Sequence, residues 1–174
     1  SHGYIYDSTF TNNTAKRSGG AVHWSGHYGD IINSTFTNNK ATGEVNSPIG
    51  GVFGGGDGGA VLWVGSHGII NDSCIFTNNY AANRGGAVFM HGNSTENCTN
   101  VTVYSSTFEY NVAGANGGDY TDGQSINTRG DTVVNIYNGD LSDKSSCFDD
   151  KSTATLYGGK LMNEIAARDS KALF

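Results

Sequence analysis

The residues whose types best suit chemistry are acidic and lie late in the chain. They are Asp119, Asp122 and the run Asp140, Asp143, Asp149 and Asp150. Clustered carboxylates can hold calcium, and a Lys or Arg beside them can serve as the base of a polysaccharide-cleaving elimination. Arg129 and Lys144 are the nearest bases. The placement argues against that chemistry, because residues 139–151 read as an acidic loop and a charge run in a loop is expected to be solvated. His23, His27, His67 and His91 raise a metal site. His23 and His27 are four apart, but on strand and loop rather than on one helix, so convergence on a metal is not expected. Cys74, Cys98 and Cys147 lack metal-ligand spacing. No catalytic, cofactor-binding or metal-binding residue is assigned, and the chain is expected to be non-enzymatic.

The elements that would position any site are set by repetition. One phrase occurs as Phe10-Thr-Asn-Asn13, Phe36-Thr-Asn-Asn39, Phe76-Thr-Asn-Asn79 and Phe108-Glu-Tyr-Asn111. A second follows it as Gly19-Gly-Ala-Val22, Gly58-Gly-Ala-Val61, Gly85-Gly-Ala-Val88 and, weakened, Gly117-Gly-Asp-Tyr120. Fixed-period self-similarity is the signature of a solenoid. Phe10 to Phe36 spans 26 residues, the basic coil, and the later gaps of 40 and 32 are that coil plus insertions at residues 43–57 and 92–100. The first insertion is Gly-rich, holds the only proline, Pro48, and reads as a loop extruded from the stack.

Within each coil the residues favour strands. Tyr6-Asp-Ser-Thr-Phe10, Ile32-Asn-Ser-Thr-Phe36 and Tyr104-Ser-Ser-Thr-Phe108 alternate in a way that turns the Phe residues inward. One extra residue between Ile70 and Phe76 reads as a bulge. Twenty-six glycines weigh against a helical repeat. The predicted fold is all-β, a right-handed parallel β-helix. Phe10, Phe36, Phe76 and Phe108 form one interior column, Asn13, Asn39, Asn79 and Asn111 form a ladder at a turn, and the Gly-Gly pairs make a second corner. Residues 1–123 carry the repeats and 124–174 the degenerate final coils. In that second part, Thr132–Tyr137 and Thr153–Tyr157 read as strands and Gly158-Gly-Lys-Leu161 as a worn second phrase. The last fourteen residues place Leu161, Ile165 and Leu173 on one face of a short capping helix.

The paired phrases GGA[ILV] and FxxN resemble the repeats of the chlamydial polymorphic membrane proteins, and are similar to those of adhesin-like surface proteins of methanogenic archaea. The resemblance covers residues 1 to about 123 and is strongest over 10–22, 36–61 and 76–88. It implies a β-helical, surface-exposed stalk or passenger that engages other cells, and no catalytic residues. Ser66-His-Gly68 is faintly similar to the His-Gly of polygalacturonases, but the paired aspartates of that family do not accompany it, and Ser1-His-Gly3 holds the same place in its own rung.

Composition agrees with an extracellular surface protein. A net charge of −6 with 15% charged residues leaves no basic patch for nucleic acid or an anionic membrane, and no segment has the length of a membrane span. Ser1-His-Gly-Tyr-Ile-Tyr6 already reads as a strand inside a coil, so the chain is expected to be a piece of something longer. Sequons at Asn12, Asn33, Asn71, Asn93, Asn97 and Asn100 suit a secreted glycoprotein, with Asn33 and Asn71 pointing outward from strands. Cys98–Cys147 and Cys74–Cys98 are competing disulfides, with Cys74 on an inward parity that suits a buried thiol.

The expected partners are other cell surfaces or glycans, met by the 43–57 insertion and by outward aromatics. Trp24 and Trp63 hold equivalent places, as either a buried pair or an exposed sugar-stacking strip. Parity there is open, since Val22/Trp24 and Ala21/His23 both make plausible inward sets. Two further functions follow from the geometry. End-to-end association would give a filament, and the outward Thr9/Thr11, Thr35/Thr37 and Ile75/Thr77 columns resemble the ice-binding faces of antifreeze solenoids.

Overall fold

The computed structural model describes residues 2–43, 55–92, 99–114, 126–129, 132–141, 146–149, 152–161, 165–168 and 171–173. All its regular elements are strands, and every strand pair is parallel. The chain winds as a parallel β-helix in which each strand pairs with its counterpart one coil away. Four columns of strands result. The first contains β1 (Gly3–Tyr6), β5 (Gly29–Ile32), β9 (Gly68–Asn71) and β13 (Thr99–Tyr104), and continues through β17 (Thr132–Leu141), β19 (Thr153–Leu161) and β21 (Lys171–Leu173). The second is β2 (Thr9–Thr11), β6 (Thr35–Thr37), β10 (Ile75–Thr77) and β14 (Thr107–Glu109), joined by the far end of β17. The third is a short sheet of β3 (Thr14–Ala15), β7 (Lys40–Ala41), β11 (Tyr80–Ala81) and β15 (Val112–Ala113). The fourth is β4 (Val22–Trp24), β8 (Val61–Trp63), β12 (Val88–His91), β16 (Ile126–Arg129), β18 (Ser146–Asp149) and β20 (Ile165–Arg168).

The recurring phrases build the corners. Phe10, Phe36, Phe76 and Phe108 are in direct register, with ring centroids 4.8 Å apart and planes within 3°. Phe36, Phe76 and Phe108 are wholly buried, each contributing about 1.5–3 kcal/mol. At the turn after them the left-handed residue is the first of the Asn pair (Asn12, Asn38, Asn78) or Tyr110, rather than the second. The second Asn turns inward and bonds along the axis. Asn39 Nδ2 donates to Asn79 Oδ1 at 3.0 Å and to the Phe10 carbonyl at 2.9 Å, and Asn79 Nδ2 repeats this toward Asn111 and Phe36. Each coil thereby satisfies two backbone groups of a tight turn, here the Phe10 carbonyl and the Asn39 N–H, which donates to Asn79 Oδ1 at 2.9 Å.

At the Gly-Gly corner the two glycines have different tasks. Gly58 is left-handed, φ +66°, while a Cβ on Gly59 would lie 1.9 Å from the Gly86 carbonyl oxygen. Only backbone fits there. The interior also matches volumes across the coil. Trp24 and Trp63 lie over Gly29 and Gly68, where an added Cβ would sit 2.1 Å from each indole. In the next coils the smaller Met90 and Thr128 replace Trp, and Val101 and Val134 replace Gly.

Several expectations need correction. The segments 6–10, 32–36 and 104–108 are each two strands broken by a left-handed corner at Asp7, Asn33 or Ser105. The extra residue of the third copy is absorbed at that corner, where Asp72 and Ser73 are both left-handed, and not as a strand bulge. The stretch read as an acidic loop contains the end of β17 and the strand β18. Gly158 and Gly159 lie within β19, paired beside Asn138 and Gly139 at the first corner and not at the Gly-Gly corner. This puts Leu141 and Leu161 in line with the Phe column.

The capping helix is replaced by β20 and β21. A helix of under fifteen residues is marginal in water, whereas another rung gains a full ladder of backbone bonds along β18 and β19.

Candidate functional site

Of the acidic residues, Asp140 lies near the end of β17 with Lys160 Nζ 3.3 Å away, on the outer surface. Asp119, Asp122, Asp143, Asp150 and Lys144 lie outside the described residues, while Asp149 and Arg129 end β18 and β16. Among the described residues no three His, Cys, Asp or Glu side chains are grouped to hold a metal ion. His27 Nδ1 is 2.6 Å from Ser66 Oγ, which also meets His67 at 3.1 Å. His23 points outward from β4, and His91 ends β12 half-buried.

Trp24 and Trp63 turn inward with Val22 and Val61, and His23 and Leu62 turn outward, so the parity left open by the sequence is settled. The indoles stack at 5.1 Å, and Trp63 has no exposed surface. They are core, not a sugar-stacking strip. The bare faces of Gly29 and Gly68 are what let them in.

The sequons are distributed unevenly. Asn12 and Asn33 are exposed at corners, and Asn33 Nδ2 donates to Asp7 Oδ1 at 2.7 Å. Asn33 is therefore a corner residue and not an outward strand residue. Asn71 and Asn100 are half-buried in β9 and β13, and Asn93 and Asn97 lie outside the described residues. Of the 43–57 insertion, residues 44–54 lie outside them as well. Its end is pinned in the stack: Gly56 N–H donates to the Arg17 carbonyl, and the buried Asp57 accepts from Asn83 Nδ2 at 2.7 Å with Arg84 Nε at 3.4 Å.

Cys98 lies outside the described residues, and only the backbone of Cys147 is described. Cys74 is a free, buried thiol, which removes the Cys74–Cys98 pairing. It occupies the place that Ser34 and Ser106 hold in neighbouring coils. The Ser34 and Ser106 hydroxyls donate to the carbonyls of Ile32 and Tyr104, and Cys74 Sγ donates to that of Asn71 at 3.1 Å. Burial pushes the Cys74 thiol above its ordinary pKa.

Outer faces carry what the sequence reasoning missed. Tyr104, Tyr137 and Tyr157 are in register and stack at 4.9 and 4.4 Å, with Tyr104 and Tyr157 exposed. Loss of solvent, then the neighbouring Tyr157 and Tyr104, raises the Tyr137 phenol. A second ladder of His2, Tyr28 and His67 climbs a corner at 5.0 and 4.8 Å. In both ladders ring faces are spent on one another, leaving edges and polar tips to solvent. Part of the signal was available: aligning Phe10 with Phe36 sets His2 beside Tyr28, 26 residues on, whereas Tyr137 and Tyr157 lie past the last Phe and have no phrase to align them.

The first corner, the Phe-Asn turn and the Gly-Gly corner together form the unit that comparison with known proteins detects. Residues 7–23 and 73–90 match the Chlamydia polymorphic membrane protein repeat. Each matched stretch runs from the left-handed first corner through the second and third columns into the fourth. The match to a membrane-protein repeat agrees, coarsely, with a place at a cell surface. No curated protein and no solved structure matches the chain. No helix among the described residues is long and apolar enough to cross a membrane.

Proposed function

We propose that this chain is a non-catalytic segment of an extracellular, adhesin-like β-helix that contacts other cells or their glycans through its outer faces. The observation that carries the reading is the division between interior and exterior. The repeat phrases are consumed by the Phe column, the Asn ladder and the Gly-Gly corner, all structural. The exposed tyrosine ladder then offers a rank of phenol edges and hydroxyls, groups suited to hydrogen-bonding a polar partner. The repeat match supports a surface location.

The test is binding of the purified chain to fixed cells and to immobilised glycans. Saturable binding that falls at least tenfold in a Tyr104→Ala/Tyr157→Ala double variant is expected. No binding to any surface, or binding indifferent to those tyrosines while folding is intact, contradicts the reading. Electron microscopy of the same sample separates a single stalk from the end-to-end filament. Incubation with polygalacturonate and calcium tests lyase activity, for which no unsaturated product is expected.

A further inference from the structure

One outer face differs from the others in having almost a single residue type. On the second column the outward positions form two ranks, Thr9, Thr35, Ile75, Thr107 and Thr11, Thr37, Thr77, Glu109, each in strict strand register. Six of these eight positions are threonine. On the first column, by contrast, one outward rank reads Tyr4, Asp30, Ile69, Thr102.

Three physical properties set the threonine face apart. It is flat: adjacent strands in ordinary sheets rotate by about 20–25°, whereas the Phe rings directly beneath this face stay within 3° of parallel from rung to rung. Successive rungs are thus related by nearly pure translation. The face is also periodic in two directions, 4.8 Å along the axis as measured by the ring stack and about 6.7 Å along each strand. Finally, it is rigid and unspent. β-Branched side chains are stiff at χ1, and among the described residues none of the six hydroxyls makes a hydrogen bond to the protein.

Such a surface places methyl and hydroxyl groups on a fixed grid with no aromatic face for a sugar to stack on. Its charge is confined to one edge, at Glu109, and the Asp140–Lys160 ion pair ends the grid on the following rungs. Methyl groups order the water around them, and free hydroxyls fix that water by hydrogen bonds. The partner with matching chemistry is itself a repeating lattice of water. We infer that the outer face of β2, β6, β10 and β14 binds ice. This stands apart from the adhesive reading, which rests on another face, and either can fail alone.

The experiment is an ice-recrystallisation assay, with thermal hysteresis read in parallel, on the full chain made in a host that does not glycosylate it. Three samples are compared: the native chain, Thr37→Lys at the centre of the grid, and Asn135→Lys on the first column, each checked for intact folding by circular dichroism. The native chain and Asn135→Lys are expected to hold ice grains small, with Thr37→Lys needing at least ten times the concentration. Thr37→Val, which keeps the methyl groups and removes one hydroxyl, is expected to lose part of the effect. Grains that coarsen with the native chain as they do with an unrelated protein of equal charge overturn the inference. So does full activity in a folded Thr37→Lys chain, or binding of the face to crystalline polysaccharide with no effect on ice.

Discussion

The first four coils and the rungs after them stack by the same backbone ladders yet differ in girth. Asn13 and Asn39 are 26 residues apart on the early ladder. In the later rungs Val133 pairs with Thr153 after 20 residues, and Thr153 with Lys171 after 18. The early coils carry both phrases and have four straight segments. The later ones carry neither; β17 and β19 each pass through the first corner as one continuous strand, turning at the left-handed Asn138 and Gly158, and among the described residues the short third sheet has no strand beyond Ala113. Stacking therefore needs only inward alternation. The phrases add something separate, namely the corners and the widened cross-section they enclose.

If that division is right, breaking the wide part at its column should cost more than breaking the narrow part. Phe76→Ala is expected to lose about 3–5 kcal/mol in denaturant unfolding, since a wholly buried ring is removed between two stacked neighbours. Leu156→Ala in β19, whose side chain keeps slight exposure, should lose nearer 2 kcal/mol, the lower end for a buried aliphatic. Equal losses would erase the distinction, and a loss below about 1 kcal/mol for Phe76 would remove it from the column.

The Asn ladder sharpens the comparison along its own length. Asn79→Ala strips the acceptor from two buried donors, the backbone N–H and Nδ2 of Asn39, for about 3 kcal/mol in all. Asn13→Ala, in an exposed position with a single donated side-chain bond, should cost under about 1 kcal/mol. A similar cost at both ends would mean that the ladder does not work through burial.

The smallest expected effect concerns Cys74. Its folded pKa is raised by burial, so the stability it contributes is complete below the ordinary thiol pKa, about 8.5, and is lost as pH rises through the folded value. Cys74→Ser copies what adjacent coils already use, so it should be nearly neutral at pH 7 and should flatten the alkaline loss. An unchanged alkaline slope in the variant would assign that slope to another group.

How much of this was legible follows from what each signal encodes. Phe10, Phe36, Phe76 and Phe108 could be aligned from spacing alone because one rung adds one residue to the column. The Asn pairs were legible as a turn, though not in detail: which Asn is left-handed depends on the inward bond the other makes to the next coil. Trp24 and Trp63 could not be placed from alternation, since β4 has apolar candidates on both parities, and the deciding partners, Gly29 and Gly68, lie across the interior. The last fourteen residues read as helix because Leu161, Ile165 and Leu173 satisfy helical spacing, while the template that makes strands β20 and β21 of them, β18 and β19, is visible only in three dimensions.

Core, corners and outer faces all depend on consecutive coils lying in register, which two nitroxide labels can report. With the native cysteines replaced by serine, labels at Thr11→Cys and Thr37→Cys sit on paired positions of neighbouring rungs, backbones about 4.8 Å apart. Coils in register give an electron spin resonance spectrum strongly broadened by spin–spin coupling. A spectrum equal to the sum of the two singly labelled chains would contradict that register.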